Sequence, residues 1–103
     1  MIVLIPKSAG TLMPSAAASK ATVASDLTFS AIWAPGASSY PITYQSWDLV
    51  NATQKSSSTA AALKAYIGYL LGDGQKLLPT LNYAPLPSNI DTKAKAQLSK
   101  IGS

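Results

Sequence analysis

The chain has 103 residues, enough for one small domain, and it contains no His, Cys, Arg or Glu. Eight lysines against four aspartates give a net charge of +4, but the lysines are spread along the whole chain. Without arginine there is no bidentate fork for phosphate or guanine, so we expect no nucleic-acid partner. The missing His and Cys also exclude Ser-His-Asp and Cys-His nucleophile systems and the common zinc ligands.

The remaining chemistry-bearing residues form no recognisable site in the sequence. The four aspartates, Asp26, Asp48, Asp73 and Asp91, stand far apart, so nothing indicates a carboxylate pair or a metal cluster. A Ser-Lys pair is open in principle, but no local pattern supports one, and the serines suit helix caps and loops. We therefore predict that the chain is not an enzyme, with no catalytic residue, no ligand-binding residue, no metal site and no cofactor.

The first third of the chain predicts a strand, a helix and a second strand. The apolar run at residues 2–5 is closed by Pro6 and predicts a buried strand. Pro14 followed by helix formers predicts a helix over about residues 15–24. In residues 26–33, apolar and polar side chains alternate, which is typical of a half-buried strand. Residues 34–39 predict a loop.

A further strand is predicted over residues 42–50, entered at Pro41, which cannot donate a backbone hydrogen bond. Its side chains divide between two faces. One face carries Ile42, Tyr44, Ser46 and Asp48, and the other carries Thr43, Gln45, Trp47 and Leu49.

The second half of the chain predicts helices. A helix begins near Ser58 or Thr59, and its apolar stripe is Leu63, Tyr66, Ile67 and Leu70. Gly72 is expected to end it as a left-handed cap. A second short helix is expected to begin at Asp73 and to kink or stop near Leu78, because Pro79 disfavours helix interiors.

An extended segment at residues 82–87 is followed by a last helix. Ser88 and Asp91 have the spacing of a capping box. The helix should bury an apolar stripe and leave three lysines in water. The stripe is Ile90, Ala94, Leu98 and Ile101, and the lysines are Lys93, Lys95 and Lys100.

The aromatic residues allow two interpretations. Tyr66 lies on a helical apolar stripe and is expected in the core. Five others could line a ligand cleft or pack between elements, since Tyr and Trp combine an apolar body with a polar handle. These five are Trp33, Tyr40, Tyr44, Trp47 and Tyr83.

A series of short motifs resembles the C-terminal part of the PstS-type phosphate-binding protein of bacterial ABC transporters. The order and spacing of the motifs carry the resemblance, which covers roughly residues 8–101. An "AGTLMPSAAA" segment leads into the first helix. The later motifs are Tyr40-Pro41-Ile42, Gln54-Lys55, Asp73-Gly74-Gln75-Lys76 and Tyr83-Ala84-Pro85-Leu86-Pro87.

The resemblance implies an α/β fold: a partial type II periplasmic-binding-protein lobe with about three short strands and three to four helices. Residues 1–38 would then correspond to the second lobe of the family. Residues 39–41 would be the crossing between lobes, and residues 42–103 would belong to the first lobe.

The resemblance also implies a role in phosphate transport, as a fragment or truncated homologue of the substrate-binding component. The chain is about a third of the family's length, and the matched motifs are scaffold positions, so no ligand residue carries over. The implied partners are inorganic phosphate in the complete family member and the membrane permease. The implied location is periplasmic or extracellular and associated with the cell envelope, although the N-terminus does not predict a signal peptide.

An alternative of a different class is a small interaction module built from the same scaffold, without phosphate binding. Removing part of a lobe would expose sheet edges and apolar faces, through which such a module would form a homo-oligomer.

Overall fold

A computed structural model of the chain describes residues 5–6 and 14–102. This part of the chain is an α-rich mixed fold. Its α-helices are α1 (Pro14–Lys20), α2 (Ser57–Leu71) and α3 (Ser88–Gln97). Two 3₁₀ helices span Asp73–Leu81 and Leu98–Lys100. Two short strands, β1 (Ile5–Pro6) and β2 (Tyr83–Ala84), pair antiparallel.

The first predicted strand is described only at its end. Residues 2–4 lie outside the described residues, while Ile5 lies in β1 opposite Ala84. The extended segment predicted at residues 82–87 is confirmed at Tyr83–Ala84, which form β2, and at Pro87, but it is wrong at Asn82, which is left-handed. The pairing of β1 with β2 joins the first residues that the structure describes to the segment between the Asp73–Leu81 helix and α3.

Helix α1 is confirmed but ends at Lys20, before the predicted residue 24. The amide of Ala21 bonds the carbonyl of Ala18, which closes the last turn, and the chain then continues without regular structure. The helix contributes Ala17 and Ala18 to the core, both fully buried.

Residues 28–33 and 41–47 run alongside each other in antiparallel directions, and we call this pair the ribbon. The amide of Trp33 donates to the carbonyl of Pro41 at 2.9 Å, and the side-chain amide of Gln45 donates to the carbonyl of Phe29. Residues 31–34 close a turn, in which the amide of Ala34 donates to the carbonyl of Ala31 at 3.4 Å and Trp33 has a left-handed φ of 55°. The inner face of the ribbon packs on the core, where the rings of Phe29 and Trp47 lie 5.4 Å apart.

The strands predicted at residues 26–33 and 42–50 are wrong within the described part of the chain, where neither segment is a strand. In a β-sheet the backbone amides would bond a neighbouring strand. Here the amide of Ile32 instead donates to the side chain of Ser30, at 3.4 Å from Oγ. Leu27 also adopts a left-handed φ of 72°, which interrupts an extended chain. The predicted alternation is nevertheless confirmed from residue 27 to residue 32 and from residue 42 to residue 48.

Helix α2 begins at Ser57 because Ser56 caps it, accepting from the amide of Thr59 at 3.2 Å. Its predicted stripe is confirmed with one exception. Ile67 is buried, and the leucines of the stripe are half-buried. The prediction for Tyr66 is wrong, because its ring is exposed on a side of the helix that no described element covers.

The junction after α2 differs from prediction in two respects. Gly72 has φ −109° and ψ −107°, so it is not a left-handed cap, and the chain enters the 3₁₀ helix directly. That helix passes through Pro79 and ends at Leu81 instead of stopping near Leu78. The left-handed residue is Asn82, with φ 62°, whose amide bonds the carbonyls of Leu78 and Pro79.

Helix α3 begins at Ser88 without a side-chain cap, so the predicted capping box is wrong. The carbonyl of Pro87 accepts from the amides of Ile90 and Asp91, and the Asp91 carboxylate pairs with Lys95 at 2.6 Å instead of reaching back. The predicted stripe is confirmed, with Ile90 only 1 % exposed, and the three lysines are exposed.

The chain folds into a thin, elongated slab. Its extents are 46 × 28 × 17 Å, and its radius of gyration is 14.4 Å, against about 13 Å for a compact domain of this length. The accessible surface is 6178 Å², against about 5,500 Å² expected for a monomer of this mass. One apolar layer between α1, α2, α3 and the ribbon forms the core.

The end of the described chain is tied to the segment that enters α2. Gly102 pairs with Thr53 in a parallel bridge. The amide of Gly102 donates to Ala52 at 2.8 Å, and its carbonyl accepts from Gln54 at 2.7 Å.

Candidate functional site

The five aromatic side chains that could line a cleft do not converge. Trp33 and Tyr44 are exposed, Tyr83 is exposed on β2, and Tyr40 is half-buried. Trp47 packs inward against Phe29. The cleft interpretation therefore finds no support in the described residues, and the packing interpretation fits Trp47, which lies against the core.

Two adjacent cavities lie between the segment at residues 23–27 and the C-terminal part of α3. Their volumes are about 150 Å³ and about 340 Å³, and both are lined by Leu27, Gln97 and Lys100. The smaller cavity also meets Asp26, so it carries a carboxylate as well as an ammonium group. The larger one is open and meets Lys93. The smaller cavity is not a dedicated anion site, because its lining holds a carboxylate as well as a lysine, and the lysines that line both cavities are exposed.

Asp26, Asp73 and Asp91 each have a local partner of their own. Asp26 accepts from the hydroxyl of Thr28 at 2.6 Å and from its amide at 3.0 Å, and these bonds lower the pKa of Asp26. Asp73 pairs with Lys76 at 2.6 Å, which lowers the pKa of Asp73 and raises that of Lys76. In the described part of the chain, no three His, Cys, Asp or Glu side chains come together as metal ligands.

A group of hydroxyls surrounds the N-terminus of α2, next to Lys55. Ser56 Oγ lies 3.0 Å from Ser58 Oγ and 2.9 Å from Thr59 Oγ1, and it also caps the helix. These hydroxyls are exposed and bond one another. Helix N-termini attract anions, but here the group serves first as a cap.

One polar residue performs a structural role that sequence reasoning missed. The side-chain amide of Gln75 donates to the carbonyl of Leu70 at 2.8 Å, and its oxygen accepts from the amide of Leu86 at 2.8 Å. Gln75 therefore joins the end of α2 to the extended segment before α3. Its position within a polar stretch gave no sign of this.

No protein-family model matches the chain, and no curated protein matches it. None of the described helices combines the length and the apolar character that a membrane crossing requires.

Proposed function

We propose that the chain is a substrate-binding component of an ABC-type phosphate transport system, as a fragment or truncated homologue of the PstS type. In this role it supplies scaffold, not phosphate ligands. Its fold would be part of a type II periplasmic-binding-protein lobe, located at the cell envelope. Its partners would be inorganic phosphate in the complete protein and the membrane permease.

The observation that carries the proposal is the double hydrogen bond of Gln75. Two of the motifs in the resemblance, Asp73–Lys76 and Tyr83–Pro87, are separate in sequence. Gln75 of the first motif bonds the backbone of Leu86 in the second. Motif residues that hold each other in place are what a scaffold segment requires, so this contact supports the scaffold role.

The other motif positions have structural partners as well. The carbonyl of Pro41 accepts from Trp33, and the carbonyl of Tyr40 accepts from the hydroxyl of Thr43 at 2.8 Å. Gln54 bonds the carbonyl of Gly102 through its backbone and that of Asn51 through its side chain. None of these groups is arranged around a shared cavity.

Phosphate titration by calorimetry tests whether the chain itself holds the ligand. We expect no submicromolar binding, because the chain has no arginine and its lysines are dispersed. The hydroxyl group at the start of α2 offers the strongest local alternative. Submicromolar affinity that is lost in Ser56→Ala would place phosphate at that helix and would refute a purely scaffolding role.

A chimera tests the transport assignment directly. In a complete PstS-type protein, the C-terminal segment would be replaced by residues 39–103 of this chain. If those residues are equivalent scaffold, the chimera should fold and retain tight phosphate binding, and Gln75→Leu within it should lower stability. A folded chimera that no longer binds phosphate would contradict the assignment.

The second candidate, a self-associating interaction module, is favoured by the shape of the chain. The molecule is only 17 Å thick in its smallest dimension, and large apolar residues are exposed both in the ribbon and on α2. Association requires no phosphate, so calorimetry and mass measurements separate the two candidates.

A further inference from the structure

The smaller of the two cavities beside α3 combines an apolar interior with two opposite charges. Its apolar lining comes from segments that are far apart in the sequence. It includes Leu27, Val50, Ile67, Ala94, Leu98 and Ile101. Four of these side chains are buried, so the cavity reaches the core. Asp26 and Lys100 also line the cavity but are exposed, which places their charged groups on the side that faces water.

The volume of the cavity fits a small molecule. At about 150 Å³, it matches apolar cavities that accept benzene, so it has room for one branched aliphatic side chain. The larger cavity, of about 340 Å³, shares Leu27, Gln97 and Lys100 with it, so space for a ligand continues beside Lys100. An apolar cavity with a few convergent polar groups is the usual form of a small-molecule site.

The two charges at this cavity do not neutralise each other. No ion pair joins them within the described residues, so Nζ of Lys100 lies more than 4.0 Å from the carboxylate of Asp26. Both hydrogen bonds from Thr28 go to Oδ1 of Asp26, and Oδ2 has no hydrogen-bond donor among the described residues. The carboxylate and the ammonium group can therefore each meet a group of opposite charge on one ligand.

We propose that the smaller cavity binds a free α-amino acid with an aliphatic side chain, such as leucine. The ammonium group of the ligand faces Asp26, its carboxylate faces Lys100, and its side chain enters the apolar interior. A simple anion would be repelled by Asp26, and a simple cation would be repelled by Lys100. The inference does not depend on phosphate transport, because phosphate has no apolar part to fill the interior.

Titration of the isotope-labelled full chain with L-leucine, followed by amide chemical shifts in NMR spectra, tests the proposal. We expect saturable shifts at Leu27, Leu98 and Ile101, with a Kd of about 0.1 to 1 mM for so small a ligand. Glycine lacks the aliphatic side chain and should bind about tenfold more weakly or worse. Isocaproate lacks the ammonium group and isoamylamine lacks the carboxylate. Each should bind about twofold to fivefold more weakly than leucine, because exposed charge pairs are weak.

The variant Lys100→Gln separates a direct contact from a structural effect. It should weaken leucine binding about twofold to fivefold, but it should not weaken isoamylamine binding, because that amine has no carboxylate. Lys55→Gln is the matched control, since it removes the same charge and Lys55 is exposed and lines neither cavity.

Four results would each overturn the proposal. The first is the absence of saturable shifts up to about 20 mM leucine, well above the expected Kd. The second is equal affinity for leucine and isocaproate, which would indicate a site for apolar acids. The others are shifts confined to residues away from the cavity, and equal weakening of leucine binding in the two lysine variants.

Discussion

Replacing Gln75 by Leu tests whether one side chain joins the two motifs. The change keeps the approximate volume and removes both hydrogen bonds. The amide of Leu86, a buried residue, would lose its acceptor at a cost of about 1 to 3 kcal/mol. The lost bond to the carbonyl of Leu70 adds about 0.5 to 1.5 kcal/mol. We therefore expect a loss of about 2 to 4 kcal/mol in the free energy of unfolding.

Urea denaturation followed by circular dichroism measures this loss. At a slope of about 2 kcal/mol per M, the middle of the usual range for small domains, the midpoint should fall by roughly 1 to 2 M. Gln97→Leu is the control, because Gln97 is also half-buried but its amide meets Ser25 only at 3.4 Å. If the two variants lost equal stability, or Gln75→Leu lost less than about 0.5 kcal/mol, the linking role would be refuted.

Three further predictions concern the core, a carboxylate and a turn. Ile90→Ala should lower the free energy of unfolding by about 2 to 5 kcal/mol in chemical denaturation, because its side chain is 1 % exposed. Leu49→Ala is the control and should change that free energy little, because Leu49 is 93 % exposed. Equal losses in the two variants would contradict the burial of Ile90. Thr28→Ala should raise the pKa of Asp26 toward the ordinary value of an aspartate, because it removes the hydroxyl that donates to the carboxylate, and NMR titration measures this change. A carboxylate whose pKa is lower in the folded than in the unfolded state stabilises the fold above its unfolded-state pKa, and this stabilisation is lost as the pH falls through its folded-state pKa. Wild type should therefore lose more stability than Thr28→Ala below about pH 4. An unchanged pKa of Asp26 in Thr28→Ala would refute the hydrogen bond. Gly36→Ala should cost about 1 to 3 kcal/mol in thermal melts, because φ is +124°; an unchanged melting temperature would contradict this geometry.

The long helices could be predicted because their signals are local. In α2 and α3 the apolar spacing of one face repeats with the helical period, and Ile67 and Ile90 are buried as that spacing requires. Tyr66 obeys the same spacing and is exposed, because burial depends on whether another element covers the helix. Periodicity gives the direction of a side chain, and only the tertiary structure gives its neighbour.

The ribbon shows the same division between local and non-local information. The inward direction of Phe29 and Trp47 follows from alternation along an extended chain, which the sequence carries. A hydrogen-bonded ladder requires a partner strand, and here the side chain of Gln45 bonds the neighbouring segment instead. The role of Gln75 was equally out of reach, since its two partners are five and eleven residues away.

The bridge between Thr53 and Gly102 brings the two ends of the segment 53–102 next to each other, as in a domain that can be inserted into a loop of another protein. The segment begins at Thr53 and ends at Gly102, and these two residues pair directly. A segment with adjacent ends can be placed in a loop of another protein without forcing the flanking chain apart. In such a host, residues 53–102 would carry α2 and α3 together with the Gln75 link, and would lose the contacts that β1 and α1 supply.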